Sequence, residues 1–375
     1  MKKIALVLAL ALFLTGCAAS GGEDFPYPCQ AMHSVATTLL ETENGYYYGQ
    51  FFYLYHIDRT AMHSVPLCTR PNCLHEQEAR PEDCDAYFRF ANVMNPFVCT
   101  DGRALYTLVS VSGGGARSFA FLRMDFDGRN RRTLWTFDAG GAVSYLLAHR
   151  GALYLVAQGY DEQGVPSSVL YRAPFPGAKP PEELLRLEPG QSVAAISAFG
   201  DFLYWSASLS LNRAPGRHTL ERLDLRTGER RTVEPVTENG SCTYVTFLQG
   251  GLCAVEFSAP DPDLLLGEGL EQLVWRGSLD GSDAVPLISR QGSYASDGER
   301  LYSWSLDWGG SGAPLEIAVY SAEGEKLDAL DLSALPSGLP SIVNLFPTAG
   351  EQVFFSVPSA SEPARVLYRF PKSAI

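Results

Sequence analysis

Ser192-Val193-Ala194-Ala195-Ile196-Ser197-Ala198-Phe199-Gly200-Asp201-Phe202-Leu203-Tyr204-Trp205-Ser206-Ala207-Ser208 reads as two apolar strands joined by a Gly-Asp turn. This unit decides the fold because it recurs. The turn glycine Gly200 has counterparts at Gly45, Gly102, Gly151, Gly251, Gly298 and Gly350. Each opens an apolar or aromatic run, such as Tyr46-Tyr47-Tyr48, Ala104-Leu105-Tyr106 or Ala152-Leu153-Tyr154. Self-similarity at a period of roughly 40 to 50 residues, with several short strands per period, marks the blades of a propeller. The expected fold is therefore all-β, a seven-bladed β-propeller of four-stranded antiparallel blades.

Within the same period, Ser192 to Ala198 is the innermost strand and Phe202 to Ser208 the second. Thr219 to Leu225 is the third and Arg231 to Pro235 the outer one. Third strands end in tight Asp/Gly turns, as in Asp125-Phe126-Asp127-Gly128 and Leu279-Asp280-Gly281, which are hairpin signals. The last period stops at Val366-Leu367-Tyr368-Arg369-Phe370, a third strand with no fourth. An unpaired edge invites aggregation, so an N-terminal strand from about Pro26 to His33 is expected to close the ring in that last blade.

The first residues address location. Lys2 and Lys3 precede an apolar run from Ile4 to Leu14, closed by Leu14-Thr15-Gly16-Cys17. A positive start, a short apolar segment and small residues describe an export signal too short to span a bilayer. The Leu-Thr-Gly-Cys ending resembles a bacterial lipobox, which implies acylation of Cys17. Acyl chains hold a soluble domain on a membrane without a spanning helix. The expected organisation is a signal over 1–16, a lipidated tether over 17–25 and the propeller over 26–375, with a Cys-rich insertion at about 66–90. The chain is then expected at the cell membrane, lipid-anchored on its outer side.

The formal charge is -13 for the whole chain, and loss of Lys2 and Lys3 makes it about -15. Nucleic acid and anionic lipid surfaces need clusters of Lys and Arg. The expected contacts are therefore the membrane through the anchor alone and a protein or glycan ligand, with the chain a monomer.

The Leu-Tyr-Arg and Arg-x-Asp-x-x-Gly repeats resemble those of YWTD-type and TolB-like propellers. More closely, Val65-Pro66-Leu67-Cys68-Thr69-Arg70-Pro71-Asn72-Cys73-Leu74-His75, followed by Asp83-Cys84-Asp85-Ala86-Tyr87, resembles a signature of propeller lipoproteins of clostridial-type bacteria. The resemblance implies fold and location and brings no activity.

Cys68, Cys73, His75 and Cys84 follow a C-x4-C-x-H-x8-C spacing on a polar, proline-broken segment. Three thiolates and an imidazole satisfy one tetrahedral zinc ion in the closed form of structural sites. Disulfides among the loop cysteines are the rival, normal for an exported protein. With Cys17 acylated, seven of the eight cysteines remain, so complete pairing is impossible. One scheme binds zinc in the segment, bridges Cys29 to Cys99 and leaves Cys242 and Cys253 as buried thiols. The resemblance to bacteria of anaerobic habit favours the metal.

The predicted innermost strands contain no Asp, Glu, Lys, Arg or His; Asn95, Ser144, Tyr145, Thr243, Tyr244, Tyr294 and Asn344 line the channel instead. General acid-base chemistry needs a titratable group in place, and paired carboxylates are needed for glycoside hydrolysis. No Gly-x-Ser-x-Gly, Walker or His-Glu-x-x-His motif is present. The expectation is a non-catalytic binding or scaffolding module. A carbohydrate-binding or carbohydrate-cleaving surface protein and an envelope assembly adaptor are the alternatives.

Loops between second and third strands are long, as at Val111 to Ser118, Gln158 to Ser168 and Ser258 to Gly269. They share one face with the blade-to-blade crossings, including the cysteine segment. Binding residues concentrate on such loops, which makes this the expected working face, presenting Tyr160, Leu264, Leu265, Leu266 and Trp308. His149 and His218, beside turns, are expected in solvent, and Trp205 and Trp304 in the core.

Overall fold

The computed structural model describes residues 31–32, 39–50, 52–75, 80–91, 96–111, 118–161, 163–209, 218–258, 271–304, 316–332, 344–348, 350–358 and 365–374. Blade 1 holds β2 (Leu39–Thr42), β3 (Gly45–Gln50), β4 (Tyr53–Ile57) and β5 (Ser64–Pro66). Blade 2 holds β6 (Val98–Thr100), β7 (Leu105–Ser110), β8 (Ser118–Met124) and β9 (Arg132–Asp138). Blade 3 is β10 (Ala142–His149), β11 (Ala152–Tyr160), β12 (Pro166–Pro174) and β13 (Glu182–Arg186). In blade 4, β14 (Gln191–Phe199), β15 (Phe202–Leu209), β16 (His218–Asp224) and β17 (Arg230–Val233) are joined by β1 (Ala31–Met32). Blade 5 is β18 (Ser241–Leu248), β19 (Gly251–Ser258), β20 (Glu271–Gly277) and β21 (Val285–Ser289). Blade 6 is β22 (Ser293–Ser296), β23 (Leu301–Trp304), β24 (Glu316–Tyr320) and β25 (Lys326–Asp331). Blade 7 shows β26 (Asn344–Pro347), β27 (Gln352–Pro358) and β28 (Arg365–Pro371). The chain is a seven-bladed β-propeller, as its repeats predict.

The recurring turn has a physical cause that the glycines alone do not show. In blade 2, Asp101 Oδ1 accepts the N–H groups of Arg103 and Ala104, and Oδ2 accepts the Tyr106 hydroxyl at 2.8 Å. In blade 6, Asp297 makes the same three bonds, to Glu299 N, Arg300 N and the Tyr302 hydroxyl at 2.8 Å. One carboxylate thus closes an Asx turn and fixes the tyrosine that follows it. Gly102 and Gly298 sit at φ of +80° and +89°, a region that favours glycine.

Burial falls from the second strand outward. Every residue of β3 is buried, whereas β13, β17 and β25 are largely exposed. These outer strands carry Glu182, Glu183, Arg230, Arg231, Lys326 and Asp328, charges that keep an exposed edge from pairing with another chain.

The closing strand is placed differently from the sequence expectation. Ala31 and Met32 pair antiparallel with Ser197 and Ile196 of β14, on the channel side of blade 4, and blade 7 has three strands among the described residues. Side-chain packing closes the ring instead. Leu39, Tyr46, Tyr48, Tyr55 and Ile57 of blade 1 form one buried cluster with Phe354 of β27, and the Tyr46 and Phe354 rings lie 4.8 Å apart. Gly350 N donates to Glu41 Oε2 at 3.3 Å across the same seam. Lys372, just beyond β28, ties blade 7 to blade 6 through Asp297 Oδ2 at 2.7 Å. Burying the side chains of that cluster removes apolar area from water at the seam between the first and last blades. No helix among the described residues is long and apolar enough to cross a membrane.

Candidate metal centre

The cysteine segment is the crossing from the outer edge of blade 1 to the inner edge of blade 2. It leaves β5 with Leu67 N donating to Leu54 O at 2.8 Å. Asn72 and His75 adopt left-handed φ of 60° and 55°, which reverses the chain and brings Cys73 and His75 back toward Cys68. A 3-10 turn over Pro81–Asp83, buttressed by the Arg80–Asp83 ion pair, delivers Cys84. The chain then stitches two blades together. Leu54 N donates to Ala86 O and Phe88 N to Phe52 O, while Ser110 N donates to Arg89 O and Ala91 N to Leu108 O.

One ligand atom from each of Cys68, Cys73, His75 and Cys84 lies within 4.8 Å of the others. Cys84 Sγ and His75 Nδ1 are 3.7 Å apart. A tetrahedral ion with zinc-like bond lengths would hold a sulfur and a nitrogen about 3.6 Å apart, so the spacing fits. Cys84 is only 2% exposed and its sulfur accepts the Ala86 N–H at 3.4 Å. Burial pushes the Cys84 thiol up to about 12, with Cys73 and Cys68 adding to the rise. At Cys68 burial also pushes upward. There the N–H groups of Arg70 and Asp85 and the neighbouring thiols outweigh it, and the thiol falls below its ordinary value. The two neighbouring thiols are thus shifted in opposite directions, and ligation by both needs something that displaces their protons. A cation does that. The Arg131 guanidinium donates to Asp85 O and lies 4.3 Å from the Phe88 ring, adding positive charge beside the sulfurs.

The four residues can hold a metal ion. With every position of a tetrahedron taken by protein, no place is left for water, as in structural rather than catalytic sites. Cys68 and Cys84 are unbridged thiols, as are the buried Cys242 and Cys253 of blade 5. Cys242 stands opposite Glu256 and Cys253 opposite Thr246, out of register with each other. Cys99 is buried in β6, and Cys29 lies outside the described residues.

Antiparallel alternation makes β3 and β5 run the same way, so the crossing leaves from the end of the blade that carries the β3–β4 connection. By the same alternation Tyr160, 77% exposed, stands on that face. Leu264, Leu265, Leu266 and Trp308 lie outside the described residues. The loop expected over Gln158 to Ser168 is shorter than its sequence suggests: β11 and β12 pair as far as Tyr160 and Pro166, and Asp161 Oδ1 closes the turn by accepting Gln163 N and Val165 N.

The channel wall also differs from expectation. A register shift between Val143 and Tyr145, repeated between Cys242 and Tyr244, re-aims these tyrosines toward the next blade. The Tyr145 hydroxyl donates to Ala194 O, and the Tyr244 hydroxyl accepts Tyr294 N at 2.8 Å. Ser144 donates to Gln158 Oε1 at 2.7 Å, and the Thr243 hydroxyl donates to Val255 O at 3.4 Å. These groups bolt strands and blades together rather than facing a ligand. Asn95 lies outside the described residues, and Asn344 begins β26.

His149, expected in solvent, is buried with Nε2 2.7 Å from Gly200 O. His218 is held below its ordinary pKa by burial and lies 3.3 Å from Ser206 Oγ. Trp205 and Trp304 are core, as expected. Sequence reasoning missed Glu256, which is 0% exposed on β19. Its carboxylate accepts Val236 N, Thr237 N, the Thr237 hydroxyl and Trp275 Nε1, clamping the crossing between blades 4 and 5. The acid inside the apolar run Leu252 to Phe257 was the available signal.

Two oligogalacturonate lyases share this architecture. One, solved in complex with manganese, superposes with a TM-score of 0.56 at 12% identity, over 93% of this chain and 90% of the lyase. The other, from Vibrio parahaemolyticus, gives 0.55 at 12% identity, over 94% of each chain. A puromycin-hydrolyzing peptidase from Mycobacterium tuberculosis gives 0.50 at 14% identity, with 89% of this chain matching 52% of the peptidase. The likeness shows the fold alone. No family model and no curated protein matches the chain. The resemblance noted in the sequence therefore stands at the level of the propeller fold, and no family model supports its lipoprotein part.

The comparison corrects the expectation of a non-catalytic chain. Propellers of this shape include enzymes, and a channel wall without titratable groups does not separate the two classes, because loops placed by the ring can carry chemistry.

Proposed function

We propose that the chain is an exported, lipid-anchored propeller that engages a protein or polymer of the cell envelope through its loop-bearing face. A structural zinc ion at Cys68, Cys73, His75 and Cys84 braces that face. The observation that carries this reading is the convergence of a closed Cys3His donor set on the crossing that joins blades 1 and 2. Soft thiolate and imidazole donors suit zinc among the common divalent ions, whereas manganese prefers oxygen ligands. The cluster's role is to hold a crossing that lacks regular strands, and the zinc would supply charge neutralisation and cross-linking there.

The test is binding of purified wall polymers and a glycan array by the zinc-loaded chain, its chelator-stripped form and Tyr160→Ala. Binding that weakens in both altered forms supports the reading. No binding by the loaded chain to any envelope polymer or envelope protein sinks it.

A second reading, favoured by the shared lyase fold, is cleavage of a carbohydrate polymer at the same face. Incubation with uronic-acid oligosaccharides, followed for the ultraviolet absorbance of unsaturated products, tests it directly. No product from any of them would exclude lyase chemistry on that class.

A further inference from the structure

Resting on the zinc reading above, we infer that Cys68 and Cys73 form an oxidation site, at which a peroxide joins the two sulfurs in a disulfide and expels the metal ion.

The geometry of the cluster selects this pair. The donor atoms of Cys68, Cys73, His75 and Cys84 all lie within 4.8 Å of one another, so no sulfur has far to travel to reach another. Access and restraint separate the three. Cys68 and Cys73 are half-buried, whereas Cys84 is buried and harder for an oxidant to reach. A disulfide also draws the two Cβ atoms to about 3.8 Å, so one partner must yield. The backbone of Cys84 is pinned on both sides, its N–H donating to Pro81 O and its carbonyl accepting Tyr87 N, each at 3.0 Å. The Cys68 sulfur accepts the N–H groups of Arg70 and Asp85, which makes it the fixed partner. Cys73 follows a turn through Arg70, Pro71 and Asn72, all exposed, so packed side chains do not resist its approach.

The step balances with a peroxide as the oxidant. One thiolate attacks the O–O bond, which breaks, leaving a sulfenic acid on that sulfur and releasing hydroxide. The second thiolate attacks the sulfenic sulfur, the S–S bond forms and a second hydroxide leaves. Two sulfurs have given up two electrons, two peroxide oxygens have gained them, and the zinc departs as the dication.

The consequence follows from where the ligands stand. Cys68, Cys73 and His75 arrive from β5, whereas Cys84 precedes the stretch that Ala86 and Phe88 stitch to blade 1. The ion joins these two arms; a Cys68–Cys73 bridge closes within the first arm alone. His75 and Cys84 are left as two donors, too few for a closed tetrahedral site. Oxidation therefore uncouples the arms and releases Leu74, 61% exposed between Cys73 and His75, from its brace on the loop-bearing face. Metal and disulfide, rivals in the sequence, become two states of one site.

The test uses the full chain carrying Cys17→Ser, loaded with zinc and with its metal content measured first. Excess hydrogen peroxide is added while a chromophoric indicator follows free zinc and peptide mass maps the cysteines. The expected result is complete loss of the bound zinc, in step with a bridge between Cys68 and Cys73, and recovery of the loaded form with a thiol reductant and added zinc. The buried Cys99, Cys242 and Cys253 should remain thiols and serve as the internal control. Zinc retained under excess peroxide overturns the inference and leaves the zinc site standing. So does release with either sulfur bridged elsewhere, or with sulfinic or sulfonic acids in place of a bridge. A chain that takes up no zinc overturns the zinc reading, and the inference with it.

Discussion

Replacing Cys84 by serine tests the metal centre most sharply, because Cys84 is the most buried of the four ligands and its sulfur also accepts the Ala86 N–H. Structural Cys/His sites bind zinc with about 10–16 kcal/mol of apparent free energy. Shared over four ligands, one thiolate contributes about 3 kcal/mol. A serine hydroxyl does not ionise in this range and reaches less far, so nearly all of that is lost. The expected result is a zinc Kd raised about 100-fold in competition with a chromophoric chelator. Stabilisation by saturating zinc should fall by about the same 3 kcal/mol through linkage. Cys253→Ser provides the control: it lies in the core of blade 5, outside the cluster, so it should destabilise the fold while leaving zinc affinity unchanged. Wild-type affinity and stoichiometry in Cys84→Ser would refute the four-ligand assignment. A wild-type chain that holds no zinc and melts identically with and without chelator would refute the site altogether.

Glu256→Gln should cost about 3 kcal/mol in denaturant unfolding, because the amide turns an N–H2 toward N–H donors that in the wild type meet a carboxylate oxygen, and buried polar groups left unpaired are expensive. Zinc content should not change. Lys372→Met should cost about 2 kcal/mol at neutral pH, between the values for exposed and buried pairs. Burial pushes the Asp297 carboxyl up, but Lys372, the Arg300 N–H and the Tyr302 hydroxyl together hold it below the usual range. Its contribution is therefore present above the unfolded value of about 3.9 and lost as pH falls through the lower folded value. The gap between wild type and Lys372→Met in thermal melts should close in acid; a gap that widens would contradict the assignment. Tyr160→Ala should shift stability by no more than about 0.5 kcal/mol, as exposed substitutions do, and a large loss would place the residue in a packing role. Cys17→Ser should move the protein from the membrane to the soluble fraction, and retention would remove the lipid anchor.

The repeat of turn glycine and apolar strand was enough for the propeller, because each blade is a local meander whose turns and alternation are written within some fifty residues. The C-x4-C-x-H-x8-C spacing likewise picked out four side chains able to hold a metal ion and close enough in the chain to converge through local turns, at Asn72 and the Pro81–Asp83 segment. What lies between blades was not legible. Tyr145 and Tyr244 read as channel lining, yet register shifts send their hydroxyls to neighbouring blades. His149 read as solvated, yet the packing of blade 4 buries it. The N-terminal segment read as the missing strand of blade 7, yet β1 lies against β14, and aromatic packing between Tyr46 and Phe354 closes the ring. By itself the sequence determined the blade, its number and the donor set, all of which depend on neighbours in the chain. Only the tertiary structure decided how blades lock together and where the N-terminal strand runs. Those depend on which side chains meet across interfaces between residues some fifty to three hundred positions apart, and no local period records that.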